Sequence, residues 1–173
     1  MYYSGQSVPQ DYLEAAKWYR LAAAQGDSLA QFNLGYMYDK GQGVAQDSTQ
    51  AVKWWRLAAT QGQAEAQFNL GVSYKIGQGV PQDYAEAVKW YRPAAVQGNK
   101  NAQYNLGEMY EEGKGVALDY VRAHMWFNLS AALGYAEAAK SRDIVSKQMT
   151  LQQIAKAQKM ANDCQQKNFK VCD

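Results

Sequence analysis

The segment GQSVPQDY at residues 5–12 returns almost unchanged as GQGVPQDY at 77–84. The distance between them is two steps of a register that runs through most of the chain. Gly26, Gly62, Gly98 and Gly134 lie 36 residues apart, as do Trp18, Trp54, Trp90 and Trp126, and Asp11, Asp47, Asp83 and Asp119. The same step links Tyr2, Tyr38, Tyr74 and Tyr110, and the NLG triplets at 33–35, 69–71 and 105–107. A single period held in this many columns specifies an array of small stacked units rather than one closed core.

Each unit reads as two helices. In the first, SLAQFNLGYMYDKG at 28–41, Ala30, Leu34 and Tyr38 fall on one stripe, beside Gly35, where another helix can approach closely. Gly41 supplies a stop that tolerates positive φ. After the turn GQGVAQ, Asp47 caps the second helix, and Gln50 completes a capping-box pattern that Asp11 with Glu14 and Asp83 with Glu86 repeat. The buried stripe of that helix is Ala51, Trp55 and Ala58, flanked by Trp54, and Gly62 ends it. One such pair cannot bury both its faces, so neighbours must stack, and the stack leaves an extended groove. Pro93 breaks the pattern. It stands in the column of Leu21, Leu57 and Leu129, inside a second-type helix where proline costs about 3 kcal/mol, so a kink near Trp90 or an early helix end is expected.

Together these columns form the pattern A-x-x-x-L-G-x-x-Y-x-x-G-x-G-V-x-x-D-x-x-x-A-x-x-W-x-x-A-A-x-x-G. It resembles the Sel1-like repeat family, relatives of the tetratricopeptide repeat, over roughly residues 1–135. The resemblance implies an all-α fold: an α-solenoid of antiparallel helix pairs, wound as a right-handed superhelix with a concave face and used as a protein interaction scaffold. The chain then divides into a partial repeat at 1–27, three repeats at 28–63, 64–99 and 100–135, capping helices at 136–164 and a tail at 165–173.

The two ends differ. At about 136–148 the segment KSRDIVS replaces FNLGYMY, so the surface that would receive another repeat turns polar, as a terminal cap requires. Thr150 and Gln153 form a capping box that opens a C-terminal capping helix, with Leu151, Ile154, Ala157, Ala161 and Cys164 at helical spacing. Cys164 and Cys172 suit a disulfide that pins the tail to this helix and implies an oxidising compartment; the alternative is two free thiols in a frayed tail. At the other end Met1 aligns with Met37 and Met109, so residues 1–12 read as the end of a first-type helix, a turn with Ser7 for the second glycine, and the Asp11 cap. On this reading Met1 is an internal methionine and an upstream segment carries an export signal, which places the protein in the periplasm or outside the cell. Without that segment it is cytoplasmic.

The totals exclude several classes. The chain carries 18 basic and 16 acidic residues, net +2, which gives no electrostatic footprint for nucleic acid. No apolar run approaches the roughly 20 residues that cross a bilayer. His124, the single histidine, occupies the column of Val52 and Val88 and reads as structural. With no second histidine, facing carboxylate pair or nucleophile arrangement, no catalytic residue, metal site or cofactor is expected. The GQGV and GKGV loops are helix stops, because a phosphate-binding loop requires GxxxxGK[ST] between a strand and a helix.

A ligand groove needs side chains that point away from the core stripe. In the first-type helices these are Leu29, Phe32, Asn33 and Tyr36, then Glu65, Phe68, Asn69 and Val72, then Asn101, Tyr104, Asn105 and Glu108. The resemblance to tetratricopeptide arrays implies that they line the concave face and contact a protein or extended peptide, with Asn33, Asn69 and Asn105 bonding its backbone and the aromatics anchoring it. The competing reading has Phe32, Phe68 and Tyr104 packing on the neighbouring repeat and the asparagines fixing helix register. Two rival functions remain. The cysteine-rich branch of the same family, linked to penicillin binding, sets cysteines inside each repeat; none of these repeats holds one, so that activity is not carried over, and a cell-envelope hydrolase lacks its nucleophile. The other rival is a self-associating array, a homodimer joined at its uncapped N-terminal edge through Trp18 and Leu21.

Overall fold

The 36-residue step appears in the computed structural model as an alternation of helices thirteen residues long. They are α1 (Tyr12–Ala24), α2 (Ser28–Lys40), α3 (Ser48–Thr60), α4 (Ala64–Ile76), α5 (Tyr84–Val96), α6 (Lys100–Glu112) and α7 (Tyr120–Ala132). Two further helices follow, α8 (Ala136–Ser146) and α9 (Leu151–Gln166). The structure describes residues 11–167 and 172, and no strand occurs among them. The reading of the segment before Asp11 lies outside the described residues. Two compact units divide the chain, one ending at Gln82 and one starting at Asp83. Consecutive helices α1 to α4 pack together in the first; α5 to α8 do so in the second, where α9 also lies on α7. The fold is an all-α repeat solenoid with a C-terminal helix.

Aspartates start the second-type helices. Asp11, Asp47, Asp83 and Asp119 are extended at φ and ψ, and each carboxylate accepts a backbone N–H of the first turn. The expected box forms only in half. At Asp47 the backbone N–H that would bond the Gln50 side chain donates instead to the Tyr38 carbonyl of α2 at 2.9 Å, and Asp119 donates likewise to Tyr110. At the other two caps the third residue of the helix pairs with a lysine instead: Glu14 with Lys17 and Glu86 with Lys89. Both halves of a box are present at Thr150 and Gln153.

Close approach fixes the spacing of the helices. A Cβ built on Gly35 would stand 2.6 Å from the Trp55 ring, and one on Gly107 would stand 2.6 Å from the Phe127 ring. Both rings are buried, so a methyl there overpacks the contact at a cost of about 1–3 kcal/mol, against the ~1 kcal/mol of helix propensity that Gly→Ala returns. The loop glycine Gly43, at φ 68°, lies so close to Tyr12 at the start of α1 that any side chain would meet its carbonyl. It is therefore a packing residue as well as part of a helix stop.

Polar side chains complete the joints. Gln31, Gln67 and Gln103 are buried, and each donates from Nε2 to the carbonyl eight residues earlier, on Ala23, Ala59 and Ala95 respectively, at 3.0–3.1 Å. Those carbonyls belong to the last turns of second-type helices; each already accepts the N–H of the glycine that follows, and the glutamine fills a second acceptor position. Arg20, Arg56 and Arg92 donate to the hydroxyls of Tyr38, Tyr74 and Tyr110 eighteen residues on.

Pro93 does not end α5, which runs the same thirteen residues as its counterparts. The proline lies near the C-terminus, so the one bond it removes frees the carbonyl of Lys89, an exposed residue that water can serve. Beyond it Gln97, Gly98 and Asn99 close the last turn on Ala94 and Ala95. In the C-terminal helix Ala157, Ala161 and Cys164 are buried, but Leu151, expected on the same stripe, is 85% exposed because it opens the helix beyond the reach of α7. Cys164 is bonded to Cys172, with their Cα atoms 4.7 Å apart.

One joint is incomplete. Gln61 donates to Gln31 Oε1 at 2.8 Å, but Leu133 stands in the Gln61 column of the third repeat, and Gln103 Oε1 is buried with no partner among the described residues. Leu133 has nearly the backbone conformation of Gln61, φ −88° against −86°. Leu133→Gln is expected to stabilise the protein by about 1 kcal/mol, the worth of one buried hydrogen bond, in urea unfolding at neutral pH; an unchanged or lower midpoint contradicts the account.

Candidate functional site

The first unit contains a cleft of about 300 Å³ between the first-type helices α2 and α4. Its walls are Tyr36, Asp39 and Lys40 from α2 and Phe68, Asn69, Val72 and Ser73 from α4; Trp55 and Gln78 complete it. Helical spacing explains the grouping, because Tyr36 with Lys40, and Phe68 with Val72, are i, i+4 neighbours on one face. Trp55 is buried through its contact with Gly35, yet its Nε1–H has no hydrogen-bond partner among the described residues. At the rim Lys40 Nζ pairs with Asp39 at 2.8 Å and lies 5.8 Å from the Tyr36 ring centre, and the Asp39 carboxylate raises the lysine's pKa. Gln78 donates to Asp39 and to Ser48, which ties the following loop to this edge. The site thus offers an apolar hollow, one amide and a neutralised ion pair.

The twelve positions expected to face a ligand do not all meet. Tyr36, Phe68, Asn69 and Val72 share the cleft. Phe32 and Asn33 are half-buried on α2 outside it, while Leu29 and Glu65 are exposed at the helix starts. In the second unit Asn101 is exposed, and Tyr104 packs between Phe127 and Tyr135 with ring centres 5.5 and 4.9 Å away. Burial pushes the Tyr91 phenol far above its ordinary pKa, and the nearby Asn105 side chain only partly opposes this. Glu108 lies half-buried next to Tyr104 and contributes, after burial, to the raised pKa of that phenol.

Sequence reasoning missed Trp55, Asp39, Lys40, Ser73 and Gln78. A signal for the first existed: its column reads Tyr19, Trp55, Tyr91 and Phe127, so one copy alone carries an indole. That indole lies against Gly35, where its Nε1–H finds no hydrogen-bond partner among the described residues.

Among the described residues no group of three or more His, Cys, Asp or Glu side chains is placed to hold a metal ion, and no helix is long and apolar enough to cross a membrane. The Sel1 repeat is matched at residues 1–27, 28–63, 64–99 and 100–135. The chain belongs to the Sel1 repeat family. This Sel1 repeat chain is 42% identical to a Sel1 repeat protein of Oxalobacter formigenes, with a TM-score of 0.75 over 80% of this chain and 56% of that one. It is 31% identical to a protective antigen of uropathogenic Escherichia coli strains that displays an SLR fold, with a TM-score of 0.68 over 97% of this chain and 45% of that one. It therefore spans about half the length of these two relatives. Cysteine rich protein B of Helicobacter pylori, 21% identical with a TM-score of 0.59 over 79% of this chain and 98% of that one, shares the fold. No curated protein matches the chain.

His124 lies outside the cleft and is buried in its valine column, with Nδ1 unpaired among the described residues. Burial holds its pKa below the usual 6.5; Arg142 adds to this and Asp143 opposes it. The unfolded chain therefore binds a proton that the folded chain resists, so this group withdraws stability as pH falls below about 6.5. His124→Val is expected to leave stability near neutral pH unchanged or higher and to reduce its loss between about pH 7 and 5, read by denaturant unfolding. An equal loss in the variant places the acid sensitivity elsewhere.

Proposed function

We propose that the protein is a non-catalytic interaction module whose first-type helices hold a protein partner as an extended peptide. The observation that carries the reading is the cleft on α2 and α4, where the Asn69 amide stands beside a hollow formed by Tyr36, Phe68 and Val72 next to the buried Trp55 ring. An extended peptide supplies what the site lacks: a backbone group for the Asn69 amide and an apolar side chain for the hollow. Sel1 repeats are commonly protein-interaction scaffolds, which supports the same class. The contacts of Tyr104 and Asn105 within the second unit favour a packing role there, so the binding weight falls on Tyr36, Phe68, Asn69 and Val72.

Peptides selected from a displayed random library against the full chain are the probe. Asn69→Ala and Phe68→Ala are each expected to weaken a selected peptide by about five- to thirtyfold with helicity unchanged. Full affinity in both variants would falsify the site.

The Cys164–Cys172 bond is proposed to persist in the native protein. Its loop is short, so its stabilisation is about 2–3 kcal/mol. Protein purified without reductant is expected to show no titratable thiol and to lose that much stability on reduction. Two free thiols in the unreduced sample end the proposal.

A further inference from the structure

The second-type helices carry one motif in four versions: KWYRL at 17–21, KWWRL at 53–57, KWYRP at 89–93 and MWFNL at 125–129. The last is covered. Met125, Trp126 and Leu129 on α7 are all 0% exposed, and α9 packs on that helix through its buried stripe of Ala157, Ala161 and Cys164. The matching residues of α3 have no such cover: Lys53 is exposed, Trp54 half-buried and Leu57 48% exposed. Trp54 and Leu57, with Gln50, Lys53 and Arg56, line a cleft of about 350 Å³ on this helix, distinct from the one between α2 and α4.

Charge says what would cover it. Lys17 and Lys89 are each paired with a glutamate three residues earlier, Glu14 and Glu86, but Gln50 stands in that column of α3, so the charge of Lys53 is not offset by its own helix. On α7 the lysine has become Met125 and the arginine Asn128, and the helix that lies there carries the exposed cations Lys156 and Lys159. A face that receives a basic helix has lost its cations; a face that keeps them suits an acidic one.

We propose that the Trp54–Leu57 face of α3 is a second binding site, for an amphipathic partner helix of the α9 kind. The partner presents small residues at i, i+4 and i+7 to Trp54 and Leu57, as Ala157, Ala161 and Cys164 do to α7, and carboxylates beside Lys53. Small residues let the helix backbone come close to the indole, and removal of both apolar side chains from water drives the contact. The site is separate from the peptide cleft and does not depend on it.

The probe is a fluorescein-labelled peptide with the α9 sequence and Cys164→Ala, Lys156→Glu and Lys159→Glu, titrated against the full chain by anisotropy. Its counterpart keeps both lysines. The acidic peptide is expected to bind about three- to tenfold more tightly than the basic one, the range of a few solvent-exposed charge contacts. Lys53→Glu is expected to reverse that order. Leu57→Glu, at a half-exposed position the fold tolerates, is expected to abolish binding of both. No binding of the acidic peptide, or binding that Leu57→Glu leaves unchanged, overturns the site. Tighter binding of the basic peptide to the unmodified chain overturns the acidic partner and points to exchange of α9 between copies.

Discussion

The absence of a side chain at Gly35 and Gly107 is the constraint on which the arrangement rests. It lets an aromatic ring of the second-type helix lie directly against a first-type helix. That contact sets how deep Trp55 sits, and hence that a hollow remains beside it rather than a filled core. It also sets which face of α3 turns outward, since a helix whose Trp55 side is bound must present Trp54 and Leu57 elsewhere. The peptide cleft and the second face therefore follow from the same contact.

Much of the fold was legible because periodicity repeats each signal. Aspartate caps, glycine stops and the Ala-aromatic-Ala stripe each occur in several copies, so the helix order could be read without any partner in view. What escaped was polar and long in reach. Gln31 looks like a surface residue by type, and its burial becomes sensible only beside the carbonyl of Ala23 that it satisfies. The Arg–Tyr pairs are equally invisible until two helices are set side by side. Pro93 was read as a breaker from local cost alone, whereas its position near the helix end confines the loss to one exposed carbonyl.

The candidate site was legible by face and not by copy. Spacing puts Phe32, Phe68 and Tyr104 in one column, but only the structure shows what each meets: Phe68 lines the cleft with Trp55, and Tyr104 lies against Phe127 and Tyr135. Those neighbours come from other parts of the chain and cannot be read from the column itself. A repeat equalises backbones and leaves individual copies free to diverge in side chains. Function is thus expected to reside where the columns disagree.

The recurring bonds have a genetic consequence. They join residues 8, 18 or 30 positions apart, each less than one period. If unequal crossing-over between two near-identical copies deletes or duplicates 36 residues, a severed bond meets an equivalent partner at the new junction wherever its columns are kept. A deletion one residue longer or shorter would misplace all of them. Selection can therefore lengthen or shorten such an array by whole units while every intermediate stays foldable, which makes the number of repeats a readily evolvable trait.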